Sequence, residues 1–271
     1  MEEKERLVRV QSLEKFPFEK EMLSCRNKGK FPDLAIKLNK SDQRFHGGEL
    51  IELKDSRSYM VSSFNSTIPT GSKDISELIQ GKKNSIREQM EESGDDILSL
   101  PTREVYYFVR GKKKKQVKVC LTHGNFFETI PPHVLISGSF LQALEERLEQ
   151  SGQELPDHLK DQLTKLFIEQ ESFSKTRTVN KASVKLRFRI MTEVLAEGNI
   201  LNGNKYPQIV DNTLNFVVPS HGKESDKVHV ERMKIAFGER AASALFKEFE
   251  IFSLQHHLNG PFLVFQTKLL S

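Results

Sequence analysis

Two β-rich runs, Glu104-Val-Tyr-Tyr-Phe-Val109 and Gln116-Val-Lys-Val-Cys-Leu121, flank Gly111 and an unbroken run of lysines from Lys112 to Lys115. Alternation on both sides of a short polar break predicts a β-hairpin, which commits this part of the chain to a sheet. The residues before it extend that sheet. Phe31-Pro-Asp-Leu-Ala-Ile-Lys-Leu38 is strand-like, with Pro32 tolerated at its start. A polar loop ending in Gly47-Gly48 leads into a second strand, Glu49-Leu-Ile-Glu-Leu-Lys54, and Ser58 to Phe64 predicts a third.

Helical patterns surround these strands. Leu13 to Asn27 predicts a helix that Pro17 begins or interrupts, stopped by Asn27-Lys28-Gly29. Ser72 or Lys73-Asp74 opens another through Ile75, Leu78 and Ile79 toward Met90, and Ser93-Gly-Asp-Asp breaks it. After Pro131-Pro132 the character turns mostly helical: Phe140, Leu144 and Leu148 fall four apart, as do Leu155, Leu159, Leu163 and Phe167. Lys181 to Glu197 fits both periods, and helix is favoured because the apolar pattern continues past Met191. Strand signals return at Leu214 to Val218 and Phe262 to Phe265, around a helical pattern near Arg240 to Phe252. The first half therefore reads helix, strand, strand, strand, helix, strand, and the second half mainly helices with two or more strands.

The chemistry-bearing residues sit in this first half. On the strand Glu49 to Lys54, period two places Glu52 and Lys54 on one face, about 7 Å apart at the backbone. If that strand pairs with the preceding one through the Gly47-Gly48 loop, Asp33 faces Glu52. Two facing carboxylates repel, and a hard divalent cation removes that cost. Magnesium suits oxygen donors and keeps several waters. The Leu53 main-chain carbonyl is a further candidate ligand. A metal lowers the pKa of a bound water and screens charge on a phosphorus in transition, while Lys54 positions the water or holds the phosphate. This assembly suits phosphodiester hydrolysis. The competing reading makes Glu52 and Lys54 a surface ladder pair and Asp33 a turn residue.

Pro32-Asp33 followed by Glu52-Leu53-Lys54 resembles the PD-(D/E)xK nuclease motif, and the element order is similar to that family's αβββαβ core. Size, and the lack of helicase or methyltransferase motifs, look most like a type II restriction endonuclease. The resemblance covers about residues 12 to 121. It implies an α/β fold with a restriction-endonuclease-like αβββαβ core, a mixed central sheet flanked by helices, and a mainly helical C-terminal part. The corresponding division is a catalytic core over 1–130 and a part over 131–271 for DNA binding or dimerisation, packed on the core as one unit. It further implies Mg²⁺, sequence-specific cleavage of double-stranded DNA, a homodimer reading a palindrome, and a cognate DNA methyltransferase in the same bacterial or archaeal cell. A repair or junction-resolving nuclease of the same fold, or a non-catalytic DNA-binding protein, are the alternatives. Family members often carry another acidic residue on the first helix; Glu14, Glu19 and Glu21 are candidates, with Glu21 preferred.

Candidate DNA contacts follow the motif: Arg57, Ser63, Asn65 and Ser66, whose side chains reach phosphate oxygens or base edges, and Lys73. The same types also form ordinary turns. The net charge of +4 is small, but it concentrates in Lys112 to Lys115, with Lys113 and Lys114 as contacts, and in a cluster from Lys175 to Arg189 that includes Arg187. Both clusters also fit solvated surfaces.

Other functions find little support. Hydrophobic residues make up 37% and charged ones 29%, a balance of soluble globular proteins. No apolar stretch approaches a membrane span, the charged start lacks a signal-peptide core, and Cys25 and Cys120 fit a reducing cytoplasm, so a cytoplasmic protein without a membrane partner is expected. His123 reads as a strand-end polar residue, and His256-His257 lacks a third ligand at metal spacing. Gly81-Lys82-Lys83 lacks the rest of a P-loop, there is no Gly-x-Ser-x-Gly elbow, and neither cysteine has a convincing catalytic partner.

Overall fold

The computed structural model describes residues 23–25, 31–38, 46–61, 63–64, 69–79, 85–92, 94–96, 98–128, 132–169, 177–179, 182–184, 192–193 and 196–269. The chain divides into two compact units, one comprising Met1–Ser63, Pro69–Glu128 and Glu193–Ser271, the other Phe64–Ile68 and Thr129–Thr192. The first unit carries a mixed sheet of strands β1 (Leu23–Cys25), β2 (Leu34–Ile36), β3 (Leu50–Ser56), β4 (Ser72–Asp74), β5 (Thr102–Lys113), β6 (Gln116–His123), β7 (Thr213–Pro219), β8 (Glu250–His256) and β9 (Gly260–Lys268). The helices in chain order are α1 (Ile75–Leu78), α2 (Ser85–Glu92), α3 (Pro132–Glu149), α4 (Asp157–Glu169), α5 (Lys223–Phe237) and α6 (Glu239–Glu248). Of these, α3 and α4 lie in the second unit, where Lys160 and Glu145 form an ion pair at 2.7 Å.

The sheet order is β1-β2-β3-β5-β6-β7-β9-β8, with β4 paired to β5 beside the start of β3. Parallel pairs are β3 with β5 and β6 with β7; the other neighbours are antiparallel. A parallel neighbour cannot be reached by a tight turn, so the chain spends β4, α1 and α2 crossing from β3 to β5. Asp74 starts α1 as its N-cap, its side chain accepting from the Ser76 N–H at 2.8 Å. Between β2 and β3 the turn needs glycine. Gly47 has φ 68°, and a Cβ there would lie 2.1 Å from the Lys37 carbonyl oxygen.

Alternation on β5 buries Arg103, Val105, Tyr107, Val109 and Gly111 on one face. Register then builds that face in rows. Glu52, Tyr107, Thr122, Val217 and Val264 form one row, buried throughout; Lys54, Val109, Cys120, Asn215 and Gln266 form the next. Each fully buried aliphatic side chain contributes about 1.5–3 kcal/mol. In the second row the Asn215 amide donates to the Val119 carbonyl and to Thr213 Oγ1, and Gln266 donates to Asn215 Oδ1 at 2.7 Å. Ile200, Leu201 and Ile209 are buried in the segment leading to β7. Leu201 and Tyr59 cross β5 at Gly111, where a Cβ would come within 2.5 Å and 2.9 Å of them. Phe126 packs edge-on against Phe262 and His256, with ring centroids 5.1 Å and 4.7 Å apart.

Several expectations need correction. Residues 23–25 of the expected first helix form β1, antiparallel to β2, while the rest of that helix lies outside the described residues. The third strand expected over Ser58 to Phe64 shrinks to Ser63–Phe64, because the chain turns sharply after β3. There the Ser58 N–H donates to Ser56 Oγ at 3.2 Å. Of the helix favoured over Lys181 to Glu197, the described residues show strand at Ala182–Val184, paired antiparallel with Arg177–Val179, and at Thr192–Glu193, and a 3-10 turn at Ala196–Gly198. The helical pattern near Arg240 to Phe252 ends at Glu248, and Glu250 begins β8. The second half is less purely helical than expected, since β7, β8 and β9 join the same sheet as the first half.

Candidate metal centre

The ladder between β2 and β3 stops early, and proline explains it. Leu34 pairs with Ile51 and Ala35 with Leu50. One step further, this register sets Asp33 opposite Glu52 and Pro32 opposite Leu53. Proline has no N–H to give the Leu53 carbonyl, so the backbone ladder cannot continue. The side chain of Asp33 takes the vacated position on the donor side, Oδ2 accepting from the Leu53 N–H at 2.8 Å. In an extended strand a residue's N–H and C=O point to the same edge. The Leu53 carbonyl therefore faces the edge on which the Asp33 carboxylate lies.

Glu52 and Lys54 share the opposite character. They point from one face of β3, and Lys54 Nζ donates to Glu52 Oε1 at 3.1 Å. Glu52 is only 3% exposed and Lys54 18%. That burial argues against a surface ladder pair, because a carboxylate placed inside a sheet costs several kcal/mol unless it is compensated. Tyr107, opposite Glu52 on β5, senses the carboxylate. Burial pushes its phenol well up, the Thr70 backbone hydrogen bond pulls it back, and the charges of Glu52 and Glu128 add to the rise. Tyr107 therefore stays a neutral phenol beside Glu52 at any ordinary pH.

The register sets two carboxylates and a main-chain carbonyl at adjoining positions of the two strands. Among the described residues no group of three or more His, Cys, Asp or Glu side chains could hold a metal. The donor set nevertheless fits a magnesium ion, which takes one or two carboxylates and completes its shell with water. Lys73, half-buried on β4, places its ammonium 5.7 Å from the centre of the Phe31 ring, beside the Pro32-Asp33 bend. Arg57 is exposed just beyond β3, and Lys113 and Lys114 are exposed at the β5–β6 hairpin. Ser63 lies in the short strand Ser63–Phe64. Glu14, Glu19, Glu21, Asn65, Ser66 and Arg187 lie outside the described residues.

Several polar groups carry little sequence signal. Asp95 and Arg103 make a bidentate pair with both contacts at 2.9 Å, each almost wholly buried, and Asp95 also accepts from the Leu38 N–H. In the sequence these residues are only a break and a strand start. Asp55 and Arg110, directly opposite across β3 and β5, form an exposed bidentate pair at 2.7 Å and 3.0 Å. The Arg110 hydrogen bond holds the Asp55 carboxyl below its usual range. Lys118 is buried with its ammonium 5.0 Å from the Tyr59 ring centre, and burial lowers its pKa. Only the alternation of β6, which places Lys118 and Cys120 on one face, hints at that position.

Two of the histidines set aside on sequence, His123 and His256, are occupied structurally. His123 is buried with Nε2 against a Glu104 carboxylate oxygen and Nδ1 accepting from the Asn125 N–H. His256 Nδ1 accepts from the Leu258 and Asn259 N–H groups, and burial depresses its pKa. In comparisons with known proteins, the chain matches no family model, no curated protein and no solved structure.

Proposed function

We propose that this chain is a Mg²⁺-dependent endodeoxyribonuclease that hydrolyses phosphodiester bonds of double-stranded DNA at a specific sequence, in the manner of a type II restriction endonuclease. The observation that carries the reading is the Asp33 carboxylate accepting from the Leu53 N–H at 2.8 Å, next along β3 to the buried Glu52 with its Lys54 partner at 3.1 Å. The order of elements supports it. Three strands in succession, then the short β4 and two helices, then a strand parallel to the third, suit a restriction-endonuclease-like core.

Asp33, Glu52 and the Leu53 carbonyl would hold the ion, which when bound supplies an activated water and positive charge at the phosphate. Asp33 is oriented by the Leu53 N–H, so its second oxygen is directed rather than free to rotate. Lys54 keeps an ammonium on the Glu52 face, where it can hold a phosphate oxygen or orient a water as a point charge. Tyr107 and the surrounding row exclude bulk water behind Glu52, which strengthens every charge interaction there. A homodimer would present two such sites to the two strands of a palindrome, and the host cell would need a cognate methyltransferase to protect its own DNA.

Incubation with phage and plasmid DNA, with Mg²⁺ and with EDTA, tests this directly. Discrete fragments that require Mg²⁺ are expected. No cutting of any of several DNAs overturns the restriction reading, and cutting of branched or damaged substrates alone would reassign the site to repair or junction resolution. Cleavage that persists in Glu52→Ala refutes the site. DNA binding indifferent to Mg²⁺ and to Lys54→Ala would leave a non-catalytic binding protein.

A further inference from the structure

The β5–β6 hairpin ends in four exposed lysines, Lys112 to Lys115, and among the described residues none of them takes part in an ion pair. Neighbouring cations on the same strands are committed elsewhere: Arg110 to Asp55, and Lys118 to the buried side of Tyr59. The tip charge is also held firmly. Pairing runs without a break to Lys112↔Val117 and Lys113↔Gln116, so Lys112 and Lys113 stand on the ladder and Lys114 and Lys115 form the two-residue turn that closes it.

Lys114 adds an independent sign. Its φ is 56°, in the left-handed region where hairpin turns select glycine or asparagine. A lysine there favours charge over backbone comfort. Its neighbours are lysines too, whose compact point charges meet phosphates without the planar fork by which arginine makes paired hydrogen bonds.

We propose that Lys112–Lys115 is a sequence-independent clamp on the sugar-phosphate backbone of duplex DNA. The inference rests on the nuclease reading for the identity of the polyanion. Position fits the role: Glu52 lies opposite Tyr107, and Lys113, on the same face of β5, is six residues further along, about 20 Å at strand rise. That length matches roughly six base-pair steps of duplex. The hairpin thus grips phosphates about half a helical turn from the bond at Glu52, fixing the DNA while other residues read the sequence.

The test uses the full chain in EDTA, with binding to two unrelated duplexes followed by fluorescence anisotropy from about 50 to about 200 mM salt. Each lysine in phosphate contact contributes about 0.9 to the slope of log K against log salt. Replacing all four by glutamine is expected to lower the slope by about 2 to 3.6, equally on both duplexes, with thermal unfolding unchanged. Lys114→Gly is expected to lower it by about 0.9 while raising the unfolding temperature, a combination that mere loss of fold cannot produce. An unchanged slope in the folded quadruple variant overturns the clamp. So does a loss confined to one duplex, which would mean base readout, or hairpin-dependent binding to phosphatidylserine vesicles with DNA binding unaffected. If the slope falls but no DNA is cut with Mg²⁺, the nuclease reading fails and the clamp stands. If Glu52→Gln abolishes cutting while the quadruple variant keeps its slope, the reverse holds.

Discussion

Glu52→Gln separates a metal ligand from a structural carboxylate without relying on activity. In EDTA the substitution removes one charge of a pair whose lysine is 18% exposed and can turn to water, and the new amide oxygen still accepts from Lys54. The expected change in stability is within about 1 kcal/mol. With Mg²⁺ the two proteins diverge. A site with a dissociation constant on the order of 1 mM, filled from about 10 mM Mg²⁺, stabilises the native state by about 1.4 kcal/mol. For a chain of this size that corresponds to a rise of about 3–6 °C in unfolding temperature. Differential scanning fluorimetry of the parent and the variant, in EDTA and in Mg²⁺ against sodium chloride of equal ionic strength, reads this difference. A Mg²⁺-specific rise in the parent that vanishes in Glu52→Gln is the expected result. The same rise in both proteins would refute Glu52 as a ligand. No rise in the parent at any Mg²⁺ concentration up to about 10 mM would refute a millimolar site in the free protein.

Other expectations follow from the same packing. Arg103→Met strands the buried Asp95 carboxylate and is expected to cost about 3–5 kcal/mol in urea unfolding, whereas adding Asp95→Leu recovers much of that loss; equal losses in single and double variants would show that the pair does not couple. The Cys120 thiol is pushed by burial from 9.0 to about 12, so it should resist alkylation in the folded protein at about pH 9 and react fully in urea. The stability linked to this raised pKa is complete below pH 9.0, where both states keep the proton, and is lost as pH rises toward about 12; Cys120→Ala should flatten that part of the profile. Burial lowers the pKa of His256, so its contribution is present above 6.5 and is lost as pH falls below that value; an acid limb unchanged in His256→Asn would contradict it. Replacing Glu52 with Leu and Lys54 with Met together should leave stability unchanged or raise it by about 1–4 kcal/mol while abolishing Mg²⁺-dependent cleavage; a clear loss of stability would make the pair structural.

Local periodicity made the central strands legible. Glu49 to Lys54, the two runs of the hairpin, and Leu214 to Val218 all fall within observed strands or their immediate flanks, because alternation there matches one buried and one less buried face. Asp74 was legible as a helix start because capping is also local. The failures came where partners distant in sequence decide. Leu23–Cys25 carries no strand pattern of its own and becomes β1 through pairing with Leu34–Ile36. Ser58 to Met60 looks like strand but turns, because Tyr59 packs across Gly111 more than fifty residues away. The site divides the same way. Glu52 and Lys54 share a strand face by their spacing alone, whereas the place of Asp33 depends on the β2–β3 register.

Where that ladder ends is a consequence of one residue. A residue with an N–H at position 32 could donate to the Leu53 carbonyl and lengthen the ladder, adding one hydrogen bond worth about 1 kcal/mol net. Pro32 forgoes it, and the ladder yields its next donor to the Asp33 carboxylate and leaves the Leu53 carbonyl on the same edge. One row inward, Glu52 occupies a sheet position between Leu50 and Tyr107 where an aliphatic residue would stabilise by about 1.5–3 kcal/mol on burial. The chain thus gives up stability twice within a few ångströms, each time in favour of an oxygen. Neither choice helps the sheet that contains it. Both follow if the edge of β3 exists to gather hard oxygen donors around a cation, with Lys54 placed beside them to meet a phosphate.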